Sequence, residues 1–90
     1  MNIGKAIKEL REQKGYSQNT LAKEAGITAN TMCNIENNKT FSWTTIMLIC
    51  KKLNVSIAYL MLLSLERSDF KDNEYDNLSK ILTYIKEDYE

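Results

Sequence analysis

Residues 17–39 read SQNTLAKEAGITANTMCNIENNK, and this stretch decides how the chain folds. Ser17 and Thr28 are residue types that begin helices, because the side-chain oxygen accepts a hydrogen bond from a free N–H of the first turn. Each is followed by apolar residues at helical spacing, and Gly26 between them permits the left-handed conformation in which helices commonly end. The stretch therefore predicts two short helices joined by a tight turn.

Two capped helices joined by a turn that contains glycine form a helix-turn-helix motif. Met32 and Ile35 would attach the second helix to the core, which directs its opposite face outward. The outward residues are small or carry amides, and none is charged: Ala29, Asn30, Cys33, Asn34 and Asn37. Because an Asn amide can pair with both N6 and N7 of adenine in the major groove, this face predicts recognition of DNA bases.

The rest of the chain shows helical spacing and no alternating strand pattern, which predicts an all-α fold. A first helix would run from Ile3 to Lys14, and Gly15 would end it. Ser42 would cap a fourth helix with an inner stripe of Trp43, Ile46, Ile49, Cys50 and Leu53, and a fifth helix would span residues 57–65. The apolar residues of a sixth, amphipathic helix are Tyr75, Leu78, Ile81, Leu82, Ile85 and Tyr89. We therefore expect a five-helix domain over residues 1–65, with its motif at about 17–37, and an acidic linker plus C-terminal helix over residues 66–90.

Composition excludes several classes of function. The 90 residues contain no His, which removes His general-base chemistry and Cys₂His₂ zinc sites. Cys33 and Cys50 are too few for a disulfide framework, and we expect no metal site, no cofactor and no enzymatic activity. The longest apolar run, residues 57–63, is far shorter than a membrane span of about 20 residues, so we expect a cytoplasmic protein with no membrane partner.

Charge is distributed unevenly although the net charge is zero. Residues 1–65 carry eight basic and four acidic side chains, whereas residues 66–90 carry four basic and eight acidic ones. A body with a net charge of +4 and a tail with −4 is the asymmetry expected when the body meets a polyanion such as DNA.

The chain resembles the Cro/repressor-type (XRE-like) helix-turn-helix domains of phage and bacterial regulators over roughly residues 3–63. The matching residues are Leu10, Arg11, Lys14, Gly15, Ser17, Gln18, Leu21, Ala22, Gly26, Ile27, Thr28, Ile35, Glu36, Asn37, Lys39, Ile46, Ile49, Leu53, Val55 and Ser56. The chain departs from the family's pattern at Asn38, in the loop after it, and at Thr20, where a Glu would complete the capping box of the helix that Ser17 begins. Asn38 stands where the family usually has Gly, and the loop at residues 40–42 is one residue short and lacks a proline.

The resemblance implies a role for individual residues. Gln18 and Lys39, with the backbone near Asn37, would hold phosphates, and Arg11 would form a structural ion pair with Glu36. The residues that would face base edges are Thr28, Ala29, Asn30, Cys33 and Asn34. Two interpretations of Cys33 stay open, a redox switch or a small side chain at a base, and the lack of a basic neighbour within one turn favours the second.

The fifth predicted helix is apolar nearly all the way round, so we expect something outside the five helices to cover part of it. A second copy of the chain would do so in a two-fold dimer, with candidate contacts at Tyr59, Met61, Leu62, Leu65, Leu78, Leu82 and Ile85. The alternative is a monomer in which the sixth helix folds back on the fifth.

The sequence thus predicts a small transcriptional regulator, a repressor or controller, that binds a palindromic operator in double-stranded DNA as a homodimer. One alternative is an antitoxin that neutralises a protein partner through residues 57–90 and binds DNA only to regulate itself. A second alternative is a helix-turn-helix fold that serves purely as a protein interaction module.

Overall fold

The computed structural model describes residues 1–66, Asp69 and Thr83. Within these residues the chain forms five helices and no strand, which confirms the predicted all-α fold. The helices are α1 (Ile3–Gln13), α2 (Gln18–Ala25), α3 (Ala29–Glu36), α4 (Trp43–Leu53) and α5 (Ile57–Ser64). The predicted sixth helix, with Leu78, Leu82 and Ile85, lies outside the described residues.

A side-chain cap begins every one of these five helices. The predicted caps Ser17, Thr28 and Ser42 each accept a hydrogen bond from the backbone N–H three residues later, and Asn2 and Ser56 do the same. Each cap satisfies one of the N–H groups that a helix start leaves without a partner. Local sequence therefore determines where the helices begin.

The helices surround one core. Helix α1 packs on α3 and α5, and α2 packs on α3 and α4. The fully buried large side chains come from all five helices: Ile7, Leu21, Met32, Ile46, Ile49, Leu53 and Leu60. Because α3 contacts both α1 and α2, the core holds the second helix of the motif from two sides.

The prediction that Trp43 belongs to the buried inner stripe of α4 is wrong. Its side chain is 50% exposed, whereas Ile46, Ile49, Cys50 and Leu53 are buried as predicted. Trp43 is the first residue of α4, and the buried part of the helix begins one turn later at Ile46. Its ring instead packs edge-on against Phe41, with the centroids 4.9 Å apart. Helical spacing placed Trp43 on the correct side of α4 but beyond the end of the core.

Helix α5 exposes less apolar surface than its composition suggests. Tyr59 and Leu60 are 4% and 0% exposed, and Met61 packs against the same core. Tyr59 is therefore a core residue, and its prediction as a dimer contact is wrong. Met61, Leu62 and Leu65 are half-buried.

The described helices are short relative to a membrane span. In residues 1–66, no single helix is long and apolar enough to cross a membrane. Helices α4 and α5 reach that length and composition only as a pair, and the pair is bent by 104°.

Candidate nucleic-acid interface

The turn between α2 and α3 is built as the sequence predicts. Gly26 adopts a left-handed conformation with φ of +79°, and the N–H of Ile27 donates to the carbonyl of Ala22. Thr28 then caps α3. Ala22 is 1% exposed, and the small side chain allows α2 and α3 to cross closely. This turn sets the direction of α3 relative to the body of the domain.

Helix α3 has one buried and one outward face. Met32, Ile35 and Glu36 are buried. The outward face, here called the recognition face, consists of Ala29, Asn30, Cys33, Asn34 and Asn37. Ala29, Asn30 and Asn37 are exposed, and Cys33 and Asn34 are half-buried. The face offers amide donors and acceptors with no charged side chain, which is chemistry suited to base edges.

Two contacts order the ends of the recognition face. At its start, Thr28 Oγ1 accepts from the backbone N–H of Thr31 at 3.1 Å and lies 2.8 Å from Thr31 Oγ1. At its end, Asn37 Nδ2 donates to Cys33 Sγ at 3.3 Å. The Thr28 hydroxyl thus serves as the cap of α3, and Cys33 helps to orient an amide rather than standing apart from the face.

The side chain of Glu36 ties the predicted structural pair to the motif. Arg11 Nε donates to Glu36 Oε2 at 2.6 Å, and Arg11 also donates to the carbonyl of Tyr16 at 2.8 Å. Both side chains are largely buried, at 10% and 2% exposure, and the hydrogen bond to Glu36 raises the pKa of Arg11. The pair therefore joins α1, the loop before α2, and the end of α3.

The residues predicted to hold phosphates lie at both ends of the motif. Gln18 begins α2, and its Nε2 donates to Glu36 Oε1 at 2.9 Å, so the buried carboxylate fixes the position of this amide. Lys39 is exposed just beyond α3, and its backbone N–H donates to the carbonyl of Asn34 at 2.8 Å. The sequence did not indicate that Gln18 and Glu36 would be bonded.

The sequence analysis also did not predict a contact between α1 and the end of α3. Asn38 has a φ of +58°, the left-handed conformation expected for a residue in place of Gly. Its Oδ1 accepts from the N–H of Gly4 at 3.0 Å, and its Nδ2 donates to Asn2 Oδ1 at 2.8 Å. A glycine within the first turn of α1 was the available signal, because Gly is unfavourable inside a helix unless close packing requires it.

Gly4 is required by close approach of two backbones. A Cβ atom at this position would lie less than 3.0 Å from the main-chain oxygens of Ile35 and Glu36. The first turn of α1 therefore rests directly on the last carbonyls of α3. Together with the bonds of Asn38, this contact fixes the end of the recognition face against α1.

The two cysteines differ in their surroundings. Burial raises the pKa of Cys50 to about 11, so this thiol is protonated at neutral pH. Cys33 is half-buried on the recognition face. Among residues 1–66, no group of three or more His, Cys, Asp or Glu side chains is arranged to hold a metal ion.

Comparisons with known proteins agree with this geometry. A family model described as helix-turn-helix matches residues 7–60. The crystal structure of a tyrosine-to-alanine mutant of the restriction-modification controller protein C.Esp1396I is similar, with a TM-score of 0.62 and 28% sequence identity. The match covers 67% of this chain and 79% of that chain. No curated protein sequence matches.

The family match spans α2, the turn and α3, and it reaches into α5. The same residues carry the capped helices, the glycine turn and the recognition face. The chain therefore belongs to the XRE-type helix-turn-helix family of DNA-binding transcriptional regulators.

Proposed function

We propose that this protein binds a palindromic operator as a homodimer and reads its sequence through α3. The observation that carries the proposal is the recognition face, where Asn30 and Asn34 present amides one turn apart on a helix fixed from two sides. The residues assigned to base edges are Thr28, Ala29, Asn30, Cys33 and Asn34. The controller protein that is similar in structure supports a regulatory function.

Phosphate contacts would position this face on the duplex. Gln18 stands at the N-terminus of α2, and Lys39 and the backbone near Asn37 stand at the C-terminal end of α3. Contacts at both ends of a recognition helix set its register, whereas base contacts supply the sequence preference. We therefore assign Gln18, Asn37 and Lys39 to affinity and the amides of Asn30 and Asn34 to specificity.

A dimer would supply the discrimination that one α3 lacks. A good bidentate pair between a side chain and a base contributes about 1–3 kcal/mol of discrimination, which is little for an operator in a genome. Two copies of α3 held about 34 Å apart would double the recognised sequence. The half-buried apolar residues Met61, Leu62 and Leu65 at the end of α5 are the described part of the proposed interface.

The test compares binding of single variants to the preferred duplex and to a scrambled duplex by fluorescence anisotropy. Asn30→Ala and Asn34→Ala should each weaken binding to the preferred duplex by about tenfold to a hundredfold and leave binding to the scrambled duplex unchanged. Lys39→Ala should weaken binding to both duplexes and reduce the slope of affinity against salt by about one. Gln13→Ala, an exposed amide at the end of α1, is the matched control.

The Asn30→Ala and Asn34→Ala variants should lose the preference for the operator sequence and should still fold. Circular dichroism of each variant should match that of the unchanged protein. If both Asn variants fold normally and keep the full preference, the assignment of α3 as the base-reading element is wrong.

A further inference from the structure

Glu36 accepts hydrogen bonds on both of its carboxylate oxygens in the interior of the domain. Oε2 accepts from Arg11 Nε at 2.6 Å, and Oε1 accepts from Arg11 Nη2 at 3.2 Å and from Gln18 Nε2 at 2.9 Å. The Glu36 side chain is 2% exposed, whereas Gln18 is half-buried at the start of α2. A buried carboxylate at the end of α3 is therefore bonded to an amide that reaches the surface.

The bond to Glu36 determines which way the Gln18 amide faces. An ionised carboxylate only accepts hydrogen bonds, so the NH₂ group of Gln18, and not its carbonyl oxygen, faces Glu36. One N–H of that group is used by Oε1 of Glu36, and the Gln18 side chain forms no other hydrogen bond within residues 1–66. Because the two N–H bonds of an amide diverge, the second one points away from the buried carboxylate. The half-buried Gln18 thus offers a free donor on the exposed side of the motif.

Arg11 makes a carboxylate compatible with a contact to DNA at this position. A negative charge without a partner would repel a phosphate that approaches Gln18. The Arg11 guanidinium donates to both oxygens of Glu36 in a bidentate geometry, which is the strongest form of this pair, and its side chain is 10% exposed. Glu36 can therefore orient the Gln18 amide while its own charge is balanced within the protein.

We infer that Glu36 is a positioning residue for DNA binding, which acts through Gln18 and directs the second N–H of that amide to a phosphate of the duplex. Because the amide is ordered before DNA arrives, binding does not have to order it. The inference rests on the proposed function in one respect, the assignment of Gln18 to a phosphate. It goes beyond a structural ion pair, because the pair of Arg11 and Glu36 then also sets a contact with the ligand.

A thermodynamic cycle tests whether the effect of Gln18 on DNA affinity depends on Glu36. Gln18→Met removes the amide and keeps the length of the side chain. Fluorescence anisotropy measures its effect on the preferred and the scrambled duplex, in the unchanged chain and in a chain with Arg11→Met and Glu36→Met, here called the charge-free chain. The matched control chain carries Glu24→Met and Lys52→Met, which remove a 3.9 Å ion pair between α2 and α4 that does not include Gln18.

The effect of Gln18→Met should depend on the background. In the unchanged chain it should weaken binding to both duplexes by about fivefold to tenfold, the loss expected for one hydrogen bond. The slope of affinity against salt should stay the same, because Gln18 carries no charge. In the charge-free chain Gln18→Met should change affinity by less than about twofold, since the amide is no longer oriented. In the control chain it should keep its full effect.

Nuclear magnetic resonance of the unchanged chain supplies a second measurement that does not depend on how the charge-free chain folds. One side-chain amide proton of Gln18 should exchange slowly with water, because it is bonded to a buried carboxylate, whereas both protons of the exposed Gln13 should exchange fast. Gln18→Met identifies the signals. Addition of the scrambled duplex should shift the second Gln18 proton more than the protected one.

Three results would overturn the inference. An equal effect of Gln18→Met in all three chains would show that Gln18 contacts DNA without help from Glu36. No effect in the unchanged chain would show that the amide does not bind a phosphate. Amide protons of Gln18 that exchange as fast as those of Gln13 would show that Glu36 does not hold it. None of these results bears on base reading by α3, which Asn30→Ala and Asn34→Ala test separately.

Discussion

At the scale of residues, the bonds of Glu36 connect the recognition helix to the rest of the domain. Its carboxylate accepts from Arg11 and from Gln18, so one buried group contacts α1 and α2 from the end of α3. Such a group stabilises the fold only while every partner is present, because a buried charge without its partner is costly. Residues outside the recognition face thus control how that face is held.

Glu36→Gln should lower the free energy of unfolding by about 3 kcal/mol, because it leaves the guanidinium of Arg11 buried without its counter-charge. Urea denaturation followed by circular dichroism measures this change. A double variant, Arg11→Met with Glu36→Met, should regain much of the loss, since it removes both buried charges. A loss below about 1 kcal/mol for Glu36→Gln would mean that the pair behaves as a solvent-exposed one.

The cysteines provide a second prediction at this scale. At neutral pH the folded protein should react with a thiol reagent at Cys33 well before Cys50, because Cys50 is buried and its pKa is raised to about 11. Peptide mapping by mass spectrometry locates the label, and Cys33→Ser should abolish the fast reaction. The adduct on the recognition face should also block DNA binding. Equally fast labelling of both thiols in folded protein would contradict the burial of Cys50.

At the scale of elements, the crossing of α1 over the end of α3 depends on backbone contact. Gly4 allows the first turn of α1 to rest on the carbonyls of Ile35 and Glu36, and Asn38 adds two hydrogen bonds across the same junction. The angle of the recognition helix is therefore set at both ends, by the glycine turn before α3 and by this junction after it.

Gly4→Ala tests this junction, because the substitution stabilises the protein if the helices are apart and destabilises it if they are in contact. At an unobstructed helix position this substitution would stabilise the protein by up to about 1 kcal/mol. Here it should destabilise by about 1–3 kcal/mol, because the new Cβ meets backbone that cannot move aside cheaply. Thermal unfolding measures the change, and Lys8→Ala on the exposed side of α1 is the control. A stabilised Gly4→Ala protein would show that the helices are not in contact there.

Local sequence patterns predicted the helices and their ends. The predictions that failed concern burial and contacts between distant residues, which depend on long-range packing. Capping residues and Gly26 placed the helix ends because those effects act within one turn. Spacing could not show that the core ends before Trp43, or that Tyr59 faces inward on a helix that is apolar all round. The bond between Gln18 and Glu36 and the junction at Gly4 join residues 18 and 34 positions apart, and no local pattern encodes such partners.

At the scale of the whole molecule, the charges are distributed unevenly between the five-helix body and the sequence that follows it. The five-helix body carries the net positive charge and the recognition face, and the acidic residues are concentrated after residue 65. A positive body is attracted to DNA, whereas an acidic segment is repelled from it and is suited to protein contacts. The charge that favours DNA is thus carried by the five-helix body, and the sequence after residue 65 does not add to it.

The most direct test of the central claim is selection of bound duplexes from a random pool by the purified full chain at moderate salt. We predict an enriched inverted repeat, with half-site centres about one helical turn, or about 34 Å, apart and adenine in each half. Folded protein that enriches no sequence, or only a single half-site, would contradict a dimeric reader that acts through α3.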